Sequence, residues 1–315
     1  MNTTNMRIPS NRVRDIVRYM HAELDGLYGE GEVKVFAEEL FNAFLQWDRT
    51  HLLLHRDETI NQSDLLRFHW AIEDLKKYRP IQHIIGYTIF CGCRICVSPD
   101  VLIPRPETEE MVEWIAGHAP LPYRSIEEKP QRGTNVFDIC TGSGCIAIAL
   151  KKAFPEAEVT AMDISPKALA LASRNASENN VEIRFVQDDI LNIASKHRED
   201  SLQDKELCSS FDLIVSNPPY VRDSERASMS PNVLDYEPEL ALFVPDDDPL
   251  RFYHAIGDYA SRHLAPQGLL VLEINEALAN ETCSLLKTQG FATEVHTDFR
   301  DKPRWISARI NLEKV

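Results

Sequence analysis

From residue 135 to residue 310, short aliphatic and β-branched runs alternate with helical segments, and this alternation narrows the fold more than any other feature. Strands that alternate with helices pair in parallel, because each helix carries the chain back across a face of the sheet. The expected product is an α/β sheet with helices on both sides. Residues 136–139, 158–162, 182–186, 211–216 and 269–274 read as strands, with 295–297 and 305–310 closing the sheet. Residues 145–152 and 166–175 read as helices between them, and the polar stretch 196–210 as a surface loop.

Upstream of about residue 80 the texture is different, and apolar residues recur at helical spacing. Val13, Ile16, Val17, Met20 and Leu24 fall at helical spacing, as do Val33, Phe36, Leu40, Phe41 and Phe44. Leu65, Phe68, Ile72 and Leu75 form a third set, with Ser63 as N-cap and Pro80 as a stop. Three amphipathic helices of this kind make a small bundle over residues 1–78. Residues 81–103, punctuated by Gly86 and Gly92, read as a β-hairpin, so 79–104 is expected to be a linker and 105–315 the α/β domain. Pro104-Arg105-Pro106-Glu107-Thr108 reads as a rigid turn, after which Glu109, Met111, Val112 and Ile115 resume a helix.

Composition excludes several classes of function. Thirty-four basic against 49 acidic residues give a net charge of −15, and no Lys/Arg run stands out. A chain this acidic repels a phosphate backbone, so indiscriminate binding to nucleic acid or to an anionic membrane is not expected. The first ten residues are polar, without the apolar core of a signal peptide, and no apolar run approaches the roughly 18 residues that span a bilayer. Seven cysteines, an odd and scattered set, do not suggest a disulfide framework. The expectation is a soluble, cytoplasmic, monomeric protein without a metal. The trio Cys91, Cys93 and Cys96 could seat zinc with His83 or a fourth cysteine. Strand alternation, however, puts Cys91 and Cys93 on one face and Cys96 on the other.

Gly is scarce, 12 in 315 residues, so where it clusters it carries information. Asp138-Ile139-Cys140-Thr141-Gly142-Ser143-Gly144 follows a strand and opens a helix. Glycine permits the tight turn and lets a ligand approach the amides, and the helix N-terminus behind it favours an anion. Asp163 ends the next strand, about 20 residues on, where an acid accepts hydrogen bonds from ribose hydroxyls. It could equally start the helix that follows Ser165-Pro166. The two signals indicate an adenosine-containing ligand and do not choose between NAD and S-adenosylmethionine.

Asn217-Pro218-Pro219-Tyr220, directly after the strand 211–216, does choose. Two prolines remove two N–H donors and leave carbonyls free to accept, Asn217 adds a side-chain acceptor, and Tyr220 adds an aromatic face. Acceptors beside an aromatic wall suit a planar NH₂ group, turning its nitrogen lone pair toward an electrophile. Hydride transfer has no use for such a site; methyl transfer does.

Together these segments resemble the S-adenosylmethionine-dependent amino-methyltransferases. One branch modifies exocyclic amines of bases. The other comprises the protein-(glutamine-N5) methyltransferases of peptide chain release factors, the PrmC or HemK family. Pro80-Ile81-Gln82-His83-Ile84-Ile85-Gly86, Ile103-Pro104-Arg105-Pro106-Glu107-Thr108-Glu109, Tyr236-Glu237-Pro238 with Ala241-Leu242, and the strand holding Glu273 resemble the second branch. The resemblance covers about residues 80–312. It implies a Rossmann-like class I methyltransferase domain joined to a helical substrate-recognition domain. It also implies that Cys140, Thr141, Gly142, Ser143 and Gly144 line the methionine part of S-adenosylmethionine, Asp163 binds the ribose, and Asp189 and Ile190 border the adenine. Asn217 then touches both cofactor and substrate, and Asn217, Pro218, Pro219 and Tyr220 hold the glutamine of a G-G-Q motif in a class I release factor. Arg105 and Thr108 either face the cofactor or serve the turn. The chain departs from the family at Cys140, where many relatives have Gly, and at 243–248, where a glycine-bearing turn is commoner. An adenine-amine DNA methyltransferase and a non-catalytic cofactor-binding module on a translation factor are the competing readings.

Overall fold

The computed structural model describes residues 8–118, 134–195 and 210–311, so most of the polar stretch 196–210 and Cys208 lie outside the described residues. Two compact units emerge. One runs to Gly86 and includes Ser230–Tyr236, which holds the short α10 (Pro231–Leu234); the other holds Tyr87–Met229 and Glu237 onward.

The first unit is helical. Helices α1 (Val13–Tyr28), α2 (Glu30–Leu45) and α4 (Gln62–Leu75) bury the expected stripes, with the short α3 (Arg49–Leu54) between the last two. Ile16, Met20, Leu24, Leu40, Phe41, Phe68, Ile72 and Leu75 have no exposed surface. Phe68 stacks obliquely on Phe41 with ring centroids 4.4 Å apart, and its edge meets Phe44 at 5.2 Å. Two sequence expectations need correction. Asn61, not Ser63, caps α4: its side chain accepts from the Asp64 N–H at 2.8 Å, whereas Ser63 already lies in the first turn. Pro80 does more than stop a helix, because it opens α5 (Ile81–Ile85) at its N-cap. Residues 81–85 are therefore helical, and the hairpin begins after Gly86, whose φ of 90° ends that helix.

The second unit opens with the hairpin β1 (Tyr87–Phe90) and β2 (Cys93–Cys96) and with helix α6 (Pro106–His118). Its sheet then grows from β3 (Asn135–Ile139), β4 (Glu158–Asp163), β5 (Arg184–Gln187), β6 (Phe211–Ser216), β9 (Leu264–Glu273), β10 (Phe291–Thr297) and β11 (Pro303–Ile310). Strands β7 (Val221–Arg222) and β8 (Phe243–Val244) form a separate two-stranded pair. The seven-stranded order is β10-β11-β9-β6-β3-β4-β5, parallel from β9 to β5 and antiparallel where β11 is inserted. Side chains alternate across it. Val136, Val159, Leu213, Val215 and Val271 face one core with α6 and α7 (Cys145–Ala153), into which Phe90 and Ile95 of the hairpin also pack. Phe137, Ile139, Ile214, Leu270 and Leu272 face the other core with α11 (Arg251–His263) and α12 (Ala279–Thr288). Short α9 (Ile190–Ser195) joins that second side, and α8 (Pro166–Glu178) packs beside β2 and β5.

The register positions the site. Ile139 pairs with Met162 on one side and Ser216 on the other, and Ser216 pairs with Leu272. Cys140, Asp163, Asn217 and Glu273 therefore leave one row of the sheet together, one residue beyond it. The chain order reverses between β3 and β6, which makes their carboxyl ends the switch point where open α/β sheets bind ligands.

Candidate active site

Asp138 is the last polar residue within β3 and is wholly buried. Its Oδ2 accepts from the Thr141 hydroxyl at 2.6 Å and from the Ala147 N–H at 3.2 Å, which folds the loop back on the first turn of α7. Its Oδ1 meets no partner, and burial pushes its pKa up to about 7. The turn then runs through three left-handed residues, Cys140, Gly142 and Gly144, with φ of 62°, 55° and 81°. A Cβ on Gly144 would lie 3.0 Å from the Ala172 side chain, whereas one on Gly142 would enter open space. Gly144 thus lets α7 and α8 close together, and Gly142 keeps the backbone bare where a ligand would approach. Cys140 holds a left-handed conformation that costs a side-chain-bearing residue roughly 1–2 kcal/mol.

The Asp163 carboxylate ties the two strand ends together. Its Oδ2 accepts from the Gly142 N–H at 2.8 Å and its Oδ1 from the Ser165 N–H at 2.9 Å, while Ser165 itself caps α8. Burial raises its pKa, and these backbone donors oppose the rise. Asp163 does not itself cap the helix, since Ser165 does, but it holds the turn that leads into α8 and faces the cavity. Asp189 begins α9 in a similar way, accepting from the Leu191 N–H at 2.9 Å and the Asn192 amide at 3.1 Å.

Beyond β6 the Ser216 hydroxyl donates to the Ile139 carbonyl at 2.6 Å, locking this strand end to the glycine loop. Pro218 and Pro219 are buried. The Tyr220 carbonyl is held by the Asn275 amide at 3.1 Å. Asn217 donates through Nδ2 to the Thr108 hydroxyl at 3.2 Å, Thr108 donates to Glu273 Oε2 at 2.6 Å, and the Tyr220 hydroxyl donates to Glu273 Oε1 at 2.9 Å. Glu273 is buried; burial raises its pKa, and the Thr108 and Tyr220 hydrogen bonds with the Arg304 charge pull it back. Tyr220 differs from expectation, since its half-buried ring packs into the second core and does not stand open as a wall.

One cavity of about 470 Å³ gathers these strand ends, within the size range of cofactor sites. Cys140, Thr141, Gly142, Ser143, Asp163, Asp189, Ile190, Asn217 and Pro219 line it. Gly144, Pro218 and Tyr220 do not; they sit behind the wall and shape it. Arg105 and Thr108 also line the cavity. Arg105 pairs with the buried Glu237 carboxylate at 2.6 Å, whose other oxygen takes the Ile103 N–H at 3.0 Å. That pairing fastens the segment before α6 to the one around Pro238, another lining residue.

The family described as "Methyltransferase small domain" matches residues 124–234, and the one described as "PrmC N-terminal domain" matches residues 16–86. A release factor glutamine methyltransferase of Bacteroides thetaiotaomicron is 38% identical, covering 93% of this chain and 98% of its own. Another, of Flavobacterium psychrophilum, is 42% identical over 268 residues, 85% of this chain and 88% of its own. The chain belongs to the release factor glutamine methyltransferase family.

This family and its methyltransferase domain are those of enzymes that use S-adenosylmethionine, and the relatives favour neither the DNA nor the non-catalytic reading. Among solved structures, the hMettl16 catalytic domain in complex with the MAT2A 3′UTR hairpin 1 shares the fold, with a TM-score of 0.50 and 14% identity over 99% of this chain and 96% of that one. For a member of the release factor glutamine methyltransferase family, the residue that sequence reasoning left without a role is Glu273. Its signal was a carboxylate at the end of a buried strand, a place where an acid persists only with partners. The cysteine trio does not converge: Cys91 and Cys93 pack on the first core, and Cys96 Sγ sits 3.3 Å from Glu178. Burial raises all three thiols, Cys91 to about 12. No helix among the described residues is long and apolar enough to cross a membrane.

Proposed function

We propose that this chain methylates the side-chain amide nitrogen of the glutamine in the G-G-Q motif of a class I peptide chain release factor, with S-adenosylmethionine as donor. The observation that carries the reading is Asn217. Its Nδ2 is committed to Thr108, no described residue donates to its Oδ1, and it lines the cavity at the switch point. An oriented acceptor at that place takes an N–H of the incoming amide and favours the positive charge that develops on its nitrogen. The carbonyl of Pro219, which also lines the cavity and receives no hydrogen bond from a described residue, is a further acceptor of the same kind.

The residues present fit the donor. The bare backbone at Gly142 accommodates the methionine end, the Asp163 carboxylate retains lone pairs for ribose hydroxyls, and Ile190 offers an apolar edge to the adenine. S-Adenosylmethionine supplies a methyl group on a positively charged sulfur, which leaves as a neutral thioether. As the N–C bond forms, the amide nitrogen gives up one N–H proton to solvent, so the protein's own contribution is positioning and electrostatics. The helical unit is proposed to recognise another part of the factor.

The test is Asn217→Ala. The methylation rate on a G-G-Q peptide is expected to fall about 10²–10³-fold, the scale of a lost oriented dipole at a developing charge. Calorimetry should show S-adenosylmethionine still bound. An unchanged rate would remove Asn217 from the role assigned to it.

A further inference from the structure

Glu273 and Thr108 form a relay whose chemistry has one consistent direction. Glu273 has both carboxylate oxygens occupied, Oε2 by the Thr108 hydroxyl at 2.6 Å and Oε1 by the Tyr220 hydroxyl at 2.9 Å. A hydroxyl has one hydrogen to give. Thr108 gives its hydrogen to the carboxylate, so toward Asn217, 3.2 Å away, it can only accept. The amide end of Asn217 that meets it must then be Nδ2, and Oδ1 is turned away. An asparagine amide has two orientations of nearly equal shape, and only its hydrogen-bond partners choose between them. In the opposite orientation the cavity would face an NH₂ donor, which repels the N–H of an incoming amide.

We infer that Glu273, acting through Thr108, is the positioning residue that fixes the side-chain amide of Asn217 with its oxygen toward the substrate. This deepens the proposed function and rests on it. The relay is built on rigid elements: Glu273 closes β9, Thr108 lies in the first turn of α6, and Asn217 follows β6. The row pairing of Ser216 with Leu272 sets Glu273 beside the Asn217 loop. The Tyr220 hydroxyl meets the same side chain, so both ends of the Asn217–Tyr220 turn are referred to one buried carboxyl group. Glu273 touches neither cofactor nor substrate in this scheme; it sets the polarity of the group that does.

The experiment compares Thr108→Val, Thr108→Ser and Asn217→Ala in the full chain, with a G-G-Q peptide and labelled S-adenosylmethionine. Thr108→Val keeps the shape and removes the relay, leaving the Asn217 amide free to turn. Its kcat is expected to fall roughly tenfold, the weight of about one oriented hydrogen bond. S-Adenosylmethionine affinity by calorimetry should stay near that of the unmodified protein, while the thermal midpoint should fall, because the buried Glu273 carboxylate loses one of its two donors. Thr108→Ser, which restores the hydroxyl, should return most of the lost rate. If Asn217→Ala is inactive but Thr108→Val turns over at the full rate, the relay is overturned while the site stands. If valine and serine variants lose rate and thermal midpoint alike, Thr108 is only structural and the relay is overturned. If Asn217→Ala keeps its rate, the underlying reading of the site falls, and the relay falls with it.

Discussion

Asp138 is a carboxyl group that the fold prefers to keep protonated. Both of its hydrogen bonds enter Oδ2, and Oδ1 lies buried without a partner, which is where the proton would sit. Its pKa, raised by burial from 3.8 to about 7, has a consequence for stability. The fold favours the protonated form, so this group's contribution is complete below the unfolded value near 4 and is lost as pH rises through about 7. Asp138→Asn presents a carbonyl to the same two donors and cannot ionise. Urea unfolding at several pH values is therefore expected to show the unmodified protein losing stability relative to Asp138→Asn as pH increases from 5 to 8. Parallel curves would mean that Asp138 stays ionised throughout. At this scale the sequence displayed the residues on the cavity wall, because glycine, proline and acidic residues at strand ends are local signals. It did not display Glu273 as part of the site. Its partners Thr108 and Tyr220 are 165 and 53 positions away, and only strand register unites them.

The glycine loop shows how one short element divides its tasks. Gly142 and Gly144 both adopt positive φ, yet only Gly144 faces a neighbouring helix. Gly144→Ala would press a Cβ to 3.0 Å from the Ala172 side chain and 3.3 Å from its backbone Cα. The expected loss of stability is about 1–3 kcal/mol, from strain and overpacking together. Gly142→Ala meets no atom and should cost less stability, but it places a methyl group on the cavity wall and should weaken S-adenosylmethionine binding more. Denaturant unfolding and calorimetry on the two variants check this; a reversed order would contradict the division. Strands β3, β4 and β6 were legible from their short apolar runs and lay within a residue of the observed bounds, whereas β9 and β10 begin five and four residues before the expected starts. Helices α11 and α12 were not read, although Tyr253, Ile256, Tyr259 and Ala260 keep helical spacing in α11. Gly257 and several polar residues dilute that stripe, and the space beside Gly257 is taken by the end of the Gln289 side chain from beyond α12. The hairpin reading of 81–85 failed for a related reason: Ile-rich segments suit either period when they are this short.

At the scale of the whole molecule, length and a change of texture announced two units, and the structure divides near Gly86. The return of Ser230–Tyr236 to the helical unit could not be read locally, since the Tyr236 hydroxyl reaches the Lys77 carbonyl across 159 positions. A net charge of −15 is read as a property of solubility and association, and the acceptor is named by the site instead. That site offers oriented acceptors to an amide NH₂, and the chain's family gives the glutamine of a release factor as the group to try. The most direct measurement incubates the full chain with labelled S-adenosylmethionine and a class I release factor carrying G-G-Q, beside the same factor carrying G-G-A, and locates any added methyl by mass spectrometry. The account predicts one methyl on the glutamine side-chain nitrogen and none on the G-G-A factor. Equal labelling of both factors, or no transfer to the G-G-Q factor while S-adenosylmethionine is bound, would contradict it.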